Sequence, residues 1–146
     1  MKKLLLLPFL CLFILSSCSE PLPPNDLLAE FVKSYGAEGI IYHSEAKEGD
    51  EGYLSPQLAR LAFGDRELPK SYAILLNIHL DTHTECGLFL IEGNKKELLE
   101  LSASRTSILD PRGDRTYIAI YDSYVFYSTL SDRERAQKIA DKTFLR

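Results

Sequence analysis

The sequence predicts an α+β protein: a single two-layer domain, with an antiparallel sheet of about four strands and helices mainly on one face, preceded by an N-terminal signal helix. Three observations carry this. Residues 25–35 and 131–144 place apolar side chains at helical spacing between recognisable start and stop residues. Two pairs of β-rich runs, 72–80 with 87–91 and 116–121 with 124–130, are each joined by a short polar segment. A helical segment follows each pair, an order that suits an antiparallel sheet covered by helices.

In chain order, Asn25 is placed to cap the first helix, whose stripe is Leu27, Leu28, Phe31, Val32 and Tyr35, with Gly36 as its stop. Residues 40–42 are a candidate short strand outside the two hairpins, and the charged, glycine-bearing stretch 45–52 reads as a mobile loop. Ser55 followed by Pro56 is an N-cap with proline at the first helical position, and Gly64 closes that helix. Leu58, Leu61, Ala62 and Phe63 are its core-facing candidates. After the first hairpin, Asn94 and Glu97 have capping-box spacing before Leu98, Leu101 and Ile108. Residues 110–114 are a turn cluster, and Asp122-Ser123 is the two-residue turn of the second hairpin. Ser131 and Glu134 repeat the capping-box spacing ahead of Ala136, Ile139, Ala140 and Phe144.

The leader is distinct from all of this. Lys2 and Lys3 precede a twelve-residue apolar run, 4–15, and small residues follow. That pattern is what secretory processing needs. Twelve residues fall short of the roughly 20 that a helical span requires, and Pro8 weakens the run as a permanent helix. Leu15-Ser16-Ser17-Cys18 supplies branched apolar, small, small and cysteine in order, and it resembles the lipobox of bacterial lipoproteins. The resemblance implies a diacylglyceryl thioether on Cys18, cleavage before it, and an N-acyl group as an optional later addition. It divides the chain into a signal peptide (1–17), a lipidated proline-rich tether (18–24) and one α+β domain (25–146). Stable anchoring takes two acyl chains, and a diacylglyceryl group brings both. Ser19 lacks the aspartate of inner-membrane retention, so the expected location is the cell envelope, on the outer membrane where the cell has one. The later stretch 123–128, with its tyrosine-rich strand, also resembles small lipoprotein domains of unknown function, a likeness that implies no activity.

Charge and cysteine content narrow the function classes. Residues 1–17 hold two of the 17 basic residues and no acidic one, so the remainder carries 15 basic against 21 acidic side chains, a net charge of −6. An acidic domain without a lysine or arginine cluster argues against nucleic acid and against anionic headgroups as partners. The membrane partner is therefore the lipid on Cys18 alone. Of three cysteines, Cys11 lies in the leader and Cys18 takes lipid, which leaves Cys86. Its ordinary role is a small buried apolar residue, and its functional role would be a nucleophile or an intermolecular disulfide.

Two constellations could carry function. His79, Asp81, His83 and Glu85 alternate, so an extended strand would put them on one face at ~6.6–6.8 Å steps. Two neighbours could then share a metal ion, and a small metal-binding protein or envelope enzyme is the alternative to a binding protein. A solvated strand face and polar hairpin tip explain the same residues. Otherwise no cofactor is expected. In the second hairpin, Tyr117, Tyr121, Tyr124 and Phe126 share one face while Ile118, Ile120, Val125 and Tyr127 share the other. Both faces are apolar, and a two-layer fold covers one. The tyrosine face is thus a candidate surface for an envelope protein partner, with a core edge as its plainer role. Arg112-Gly113-Asp114 reads as turn chemistry.

Overall fold

A computed structural model describes residues 19–76 and 83–146. The elements follow in the order α1 (Pro24–Tyr35), β1 (Ile41–His43), α2 (Pro56–Phe63), β2 (Tyr72–Leu75), β3 (Cys86–Leu90), α3 (Lys95–Leu109), β4 (Tyr117–Tyr121), β5 (Tyr124–Ser128) and α4 (Arg133–Phe144). The five strands form one antiparallel sheet in the order β1-β2-β3-β5-β4. The α+β class holds, with one strand more than the four expected, because residues 41–43 pair with residues 73–75.

The layer count also differs from expectation. Helices α1 and α4 cover one face, burying Leu28, Phe31, Ala136, Ala140 and Phe144 against Ala73, Leu75, Leu88 and Phe126. Helices α2 and α3 cover the other, burying Ala62, Phe63, Leu98 and Leu101 against Ile74, Phe89, Val125 and Tyr127. The sheet is therefore the middle of three layers. The physical reason is in the strands themselves: β3 and β5 are apolar on both sides of the pleat, and every residue of β5 is buried. Strands of that kind need cover on both faces.

Local chemistry explains the boundaries. Pro23 stands at the N-cap of α1 with Pro24 at its first position, so the helix starts one residue before the Asn25 cap expected from sequence. Gly36, at φ 81°, terminates it in the left-handed conformation that glycine adopts without steric cost. The Ser55 side chain accepts from the Leu58 amide as expected, and Asn94 accepts from Lys96 while donating to Glu97. Asp132 rather than Ser131 caps α4, accepting from the Arg135 amide at 2.9 Å. Strands β3 and β4 run in the same direction with β5 between them, and α3 is the crossover that returns the chain.

Two local details fix the strands β3, β5 and β4. Gly87 pairs with Tyr127 across β3 and β5, and a Cβ at Gly87 would overlap the Tyr127 ring, 2.8 Å from Cζ. Only glycine leaves room for that ring to lie flat on the neighbouring strand. At the start of β4, Asp110 Oδ2 accepts from the Arg115 amide, the Thr116 amide and the Thr116 hydroxyl at 2.9, 2.8 and 2.7 Å. Burial alone would raise the Asp110 pKa, but these donors, with the Arg115 charge, hold it below the ordinary 3.8.

Gly87→Ala should therefore cost about 1–3 kcal/mol in chemical denaturation, the range for overpacking a filled core. A neutral result would mean that the ring has somewhere else to go. Asp110 is a depressed acid, so its stabilisation is present above about pH 4 and disappears as pH falls through its folded value. Asp110→Asn should destabilise at neutral pH, with the gap to the parent closing in acid. A gap independent of pH would show that the carboxylate charge contributes nothing.

Candidate functional site

The described residues bring one set of chemically capable side chains together in the interior: Glu85, Arg105 and Tyr127. Glu85 immediately precedes β3, Tyr127 lies on β5, and Arg105 is on α3. Glu85 is fully buried, as is Tyr127, and Arg105 is 7% exposed. Arg105 Nε donates to Glu85 Oε1 at 2.9 Å and Nη2 donates to Oε2 at 2.6 Å, a two-pronged pair. Tyr127 Oη adds a bond to Oε1 at 2.6 Å. The remaining arm of the guanidinium, Nη1, donates to the Ala62 carbonyl at 3.0 Å, satisfying a carbonyl in the last turn of α2. The cation also stands 5.6 Å from the centre of the Phe63 ring.

Electrostatics keep Arg105 charged and the Tyr127 phenol protonated. Burial opposes the Arg105 charge, but the bond to Glu85 and its negative field more than offset that and raise the arginine pKa. Burial and then Glu85 push the Tyr127 phenol well above its ordinary value, so it stays a donor. Thr129 finishes the frame. Its hydroxyl accepts from the Glu85 amide at 3.1 Å and donates to the His83 carbonyl at 2.8 Å.

These contacts decide how the described end of the 79–85 segment, residues 83–85, stands. His79 and Asp81 lie outside the described residues. His83 is described, with an exposed side chain and a φ of 50°. Glu85 points the other way, into the core, where Arg105 and Tyr127 occupy its carboxylate. Among the described residues there is no group of three His, Cys, Asp or Glu side chains arranged to hold a metal ion. Cys86 is wholly buried on the α1/α4 face, and burial followed by the Glu85 charge raises its thiol pKa far above the ordinary value, so it packs as an apolar side chain.

The tyrosine face of the second hairpin is not a free surface. Phe126, Tyr121 and Tyr124 are buried and Tyr117 is half-buried, because α1 and α4 lie over them. Phe126 sits 4.9 Å from the Phe31 ring and 5.1 Å from Phe144. The hydroxyls of Tyr117 and Tyr121 are 2.8 Å apart, and Tyr121 donates to Asp141 Oδ1 at 2.6 Å. The plainer core-edge role describes these side chains, and it extends to Tyr124, whose hydroxyl donates to the Leu22 carbonyl at 2.6 Å. That last bond straps the proline-rich tether onto the domain. Cys18 lies outside the described residues.

An open surface lies on the opposite face. A cleft of about 320 Å³ between α2 and α3 is lined by Arg60, Leu61, Phe63, Arg66, Leu101 and Ile108, with Arg105 at its floor. Leu61 is 79% exposed and Ile108 59%, although both were expected to face the core. The buried residues of α3 include Leu101, seven positions before Ile108 and so within about 20° of it at 100° per residue, which means that position along the helix rather than rotation separates the two. In α2, Ala62 and Phe63 turn inward and carry Leu61 outward. No described helix is long and apolar enough to cross a membrane.

Arg105 escaped the sequence reading because its helix has no clean apolar stripe. A signal was present nonetheless: it stands four residues after Leu101 and four before Leu109, an arginine in a core-facing position that demands a buried acid. Arg105→Met should cost about 3–5 kcal/mol by stranding the Glu85 charge, while the double variant Glu85→Leu with Arg105→Met should recover most of that. Equal losses in the single and double variants would show that packing, not charge pairing, holds this corner. Comparison of the chain with protein-family models, with curated proteins and with solved structures gives no match in any of the three.

Proposed function

We propose that the chain is a bacterial lipoprotein, held in the cell envelope by a diacylglyceryl group on Cys18, that works by binding another envelope protein on its α2–α3 face. The observation that carries the binding half is the exposed pair Leu61 and Ile108, bordering one cleft. Two large apolar side chains over a shared concavity, with Arg60 and Arg66 at the rim, have the make-up of an interface centre. The floor is rigid, because the buried Glu85–Arg105 pair joins α3 to the sheet and to the end of α2.

The tether supports the same arrangement. Leu22 follows Cys18 by four residue steps, a reach of at most about 14 Å when extended. Leu22 is bonded to Tyr124, whose side chain lies in the α1/α4 layer. Lipid on Cys18 thus keeps the α1/α4 side near the membrane and turns the α2–α3 cleft away from it, toward other envelope proteins.

Cys18→Ala should abolish incorporation of labelled palmitate and move the protein from the membrane pellet to the soluble fraction. Continued labelling would remove the anchor from this reading. For the cleft, a photoreactive residue at position 108 should trap one protein adduct in cells, lost on Leu61→Asp. That substitution should leave stability within about 0.5 kcal/mol, as for a surface site. A large loss of stability would assign Leu61 to the fold instead.

A further inference from the structure

The two edges of the sheet are treated differently by the chain. Strand β1 is three residues long, and the outward amide of His43 donates to the Gly52 carbonyl at 3.0 Å, so the chain covers its own edge there. Strand β4, at the other edge, is five residues, Tyr-Ile-Ala-Ile-Tyr, with no charge and no proline. Natural edge strands normally carry a charge, a proline, a bulge or a cover that prevents pairing, and β4 carries none of these.

The hairpin determines which of its backbone groups are free. Tyr121 and Tyr124 flank a two-residue turn and exchange hydrogen bonds, and so, two residues further each time, do Ala119 with Phe126 and Tyr117 with Ser128. Ile118 and Ile120 therefore direct their amides and carbonyls outward. Among the described residues no hydrogen bond reaches those groups. The Ile120 side chain is 43% exposed.

We propose that β4 is a self-association edge: two copies of this chain pair antiparallel through it, joining two five-stranded sheets into one of ten. The occupant is a second copy because the edge complements itself. Full overlap of two five-residue strands sets Ile118 against Ile120 of the partner twice, satisfying all the outward groups of both residues, with Ala119 facing its own counterpart on the two-fold axis. The isoleucine pairs bury the exposed Ile120 against another β-branched side chain, a favourable cross-strand neighbour. This register also brings Arg115 of each copy beside the exposed Asp122 of the other, one position from direct opposition. A two-fold axis between antiparallel strands stands normal to the sheet, so both α1/α4 layers, and both tethers, emerge on the same side. Such an interface is isologous and closed, which limits it to a dimer.

The test uses the full chain purified in detergent. Two Cα atoms facing each other in a non-hydrogen-bonded antiparallel pair are about 4.5 Å apart, within disulfide range. Ala119→Cys should give a disulfide-linked species of twice the chain mass under mild oxidation, absent from the parent chain. Adding Ile120→Lys should abolish it while the thermal transition is retained. In the parent chain, sedimentation should give a dimer, and Ile120→Lys a monomer. A monomeric parent chain overturns the proposal. So does an Ala119→Cys variant whose new thiol reacts with maleimide yet forms no link, or a dimer that survives Ile120→Lys with its fold intact.

Discussion

A carboxylate with no exposed surface dictates much of this structure. Glu85 is fully buried at the start of the central strand β3, and burial of an unpaired charge is prohibitively costly. Its position is tolerable only if a cation arrives with matching geometry. Arg105 does so with two parallel bonds, which requires α3 to cross the sheet at one height and one rotation. The same guanidinium reaches the end of α2, so the short helix is placed by α3 through Ala62 and Phe63. Tyr127 completes the acceptor's needs from β5, and its ring fits because its cross-strand neighbour is Gly87. One acid thereby positions two helices and two strands. Pairs of this kind add little net stability over an apolar equivalent, and what they supply here is geometric definition of the α2–α3 layer.

The opposite layer is built by another kind of interaction. Around Phe126 the rings of Phe31, Phe144, Tyr117 and Tyr121 lie between 4.9 and 6.5 Å, centroid to centroid. Aromatic packing has softer orientational demands than a two-pronged ion pair. Polar tips then finish the arrangement at the rim, where Tyr121 meets Asp141, Tyr35 accepts from the Asp132 amide, and Tyr124 holds Leu22. The tyrosines serve as the lid of a core, with hydroxyls supplying the boundary to water.

The starts of α2 and α3, the stops of α1 and α2 and the second hairpin were legible because each is set by residues within a few positions of one another, whereas the caps of α1 and α4 fell on Pro23 and Asp132 instead of Asn25 and Ser131. Gly36, Ser55, Asn94 and the Asp122-Ser123 turn act locally, and the register from Tyr121 to Tyr124 follows from turn length alone. The layer count was not read, although its sign was visible: residues 117–127 are apolar on both faces, which a two-layer fold leaves half uncovered. The site was harder still, because it depends on partners 20 to 42 positions apart. Glu85 looked like one member of an alternating polar run with His83, and nothing local distinguishes an acid that points outward from one that points in. The pairing of Gly87 with Tyr127 and the arginine within the α3 stripe supply that distinction only once the strands are in register.

The same physics separates what the sheet closes from what it leaves open. Strands β2, β3 and β5 have neighbours on both sides, and β1 is short and covered by its own loop. Both faces are occupied, one by rings and the other by a buried ion pair under two helices. Among the described residues, the outer side of β4 is the longest strand edge left unpaired, and two exposed apolar side chains, Leu61 and Ile108, border one cleft. An open strand edge selects by main-chain geometry and favours an identical edge, whereas a concave apolar pair selects by side-chain shape and favours a different surface. The two are at right angles, one in the plane of the sheet and one above it. A chain paired along β4 would therefore still present both of its clefts, facing the same way and away from both tethers.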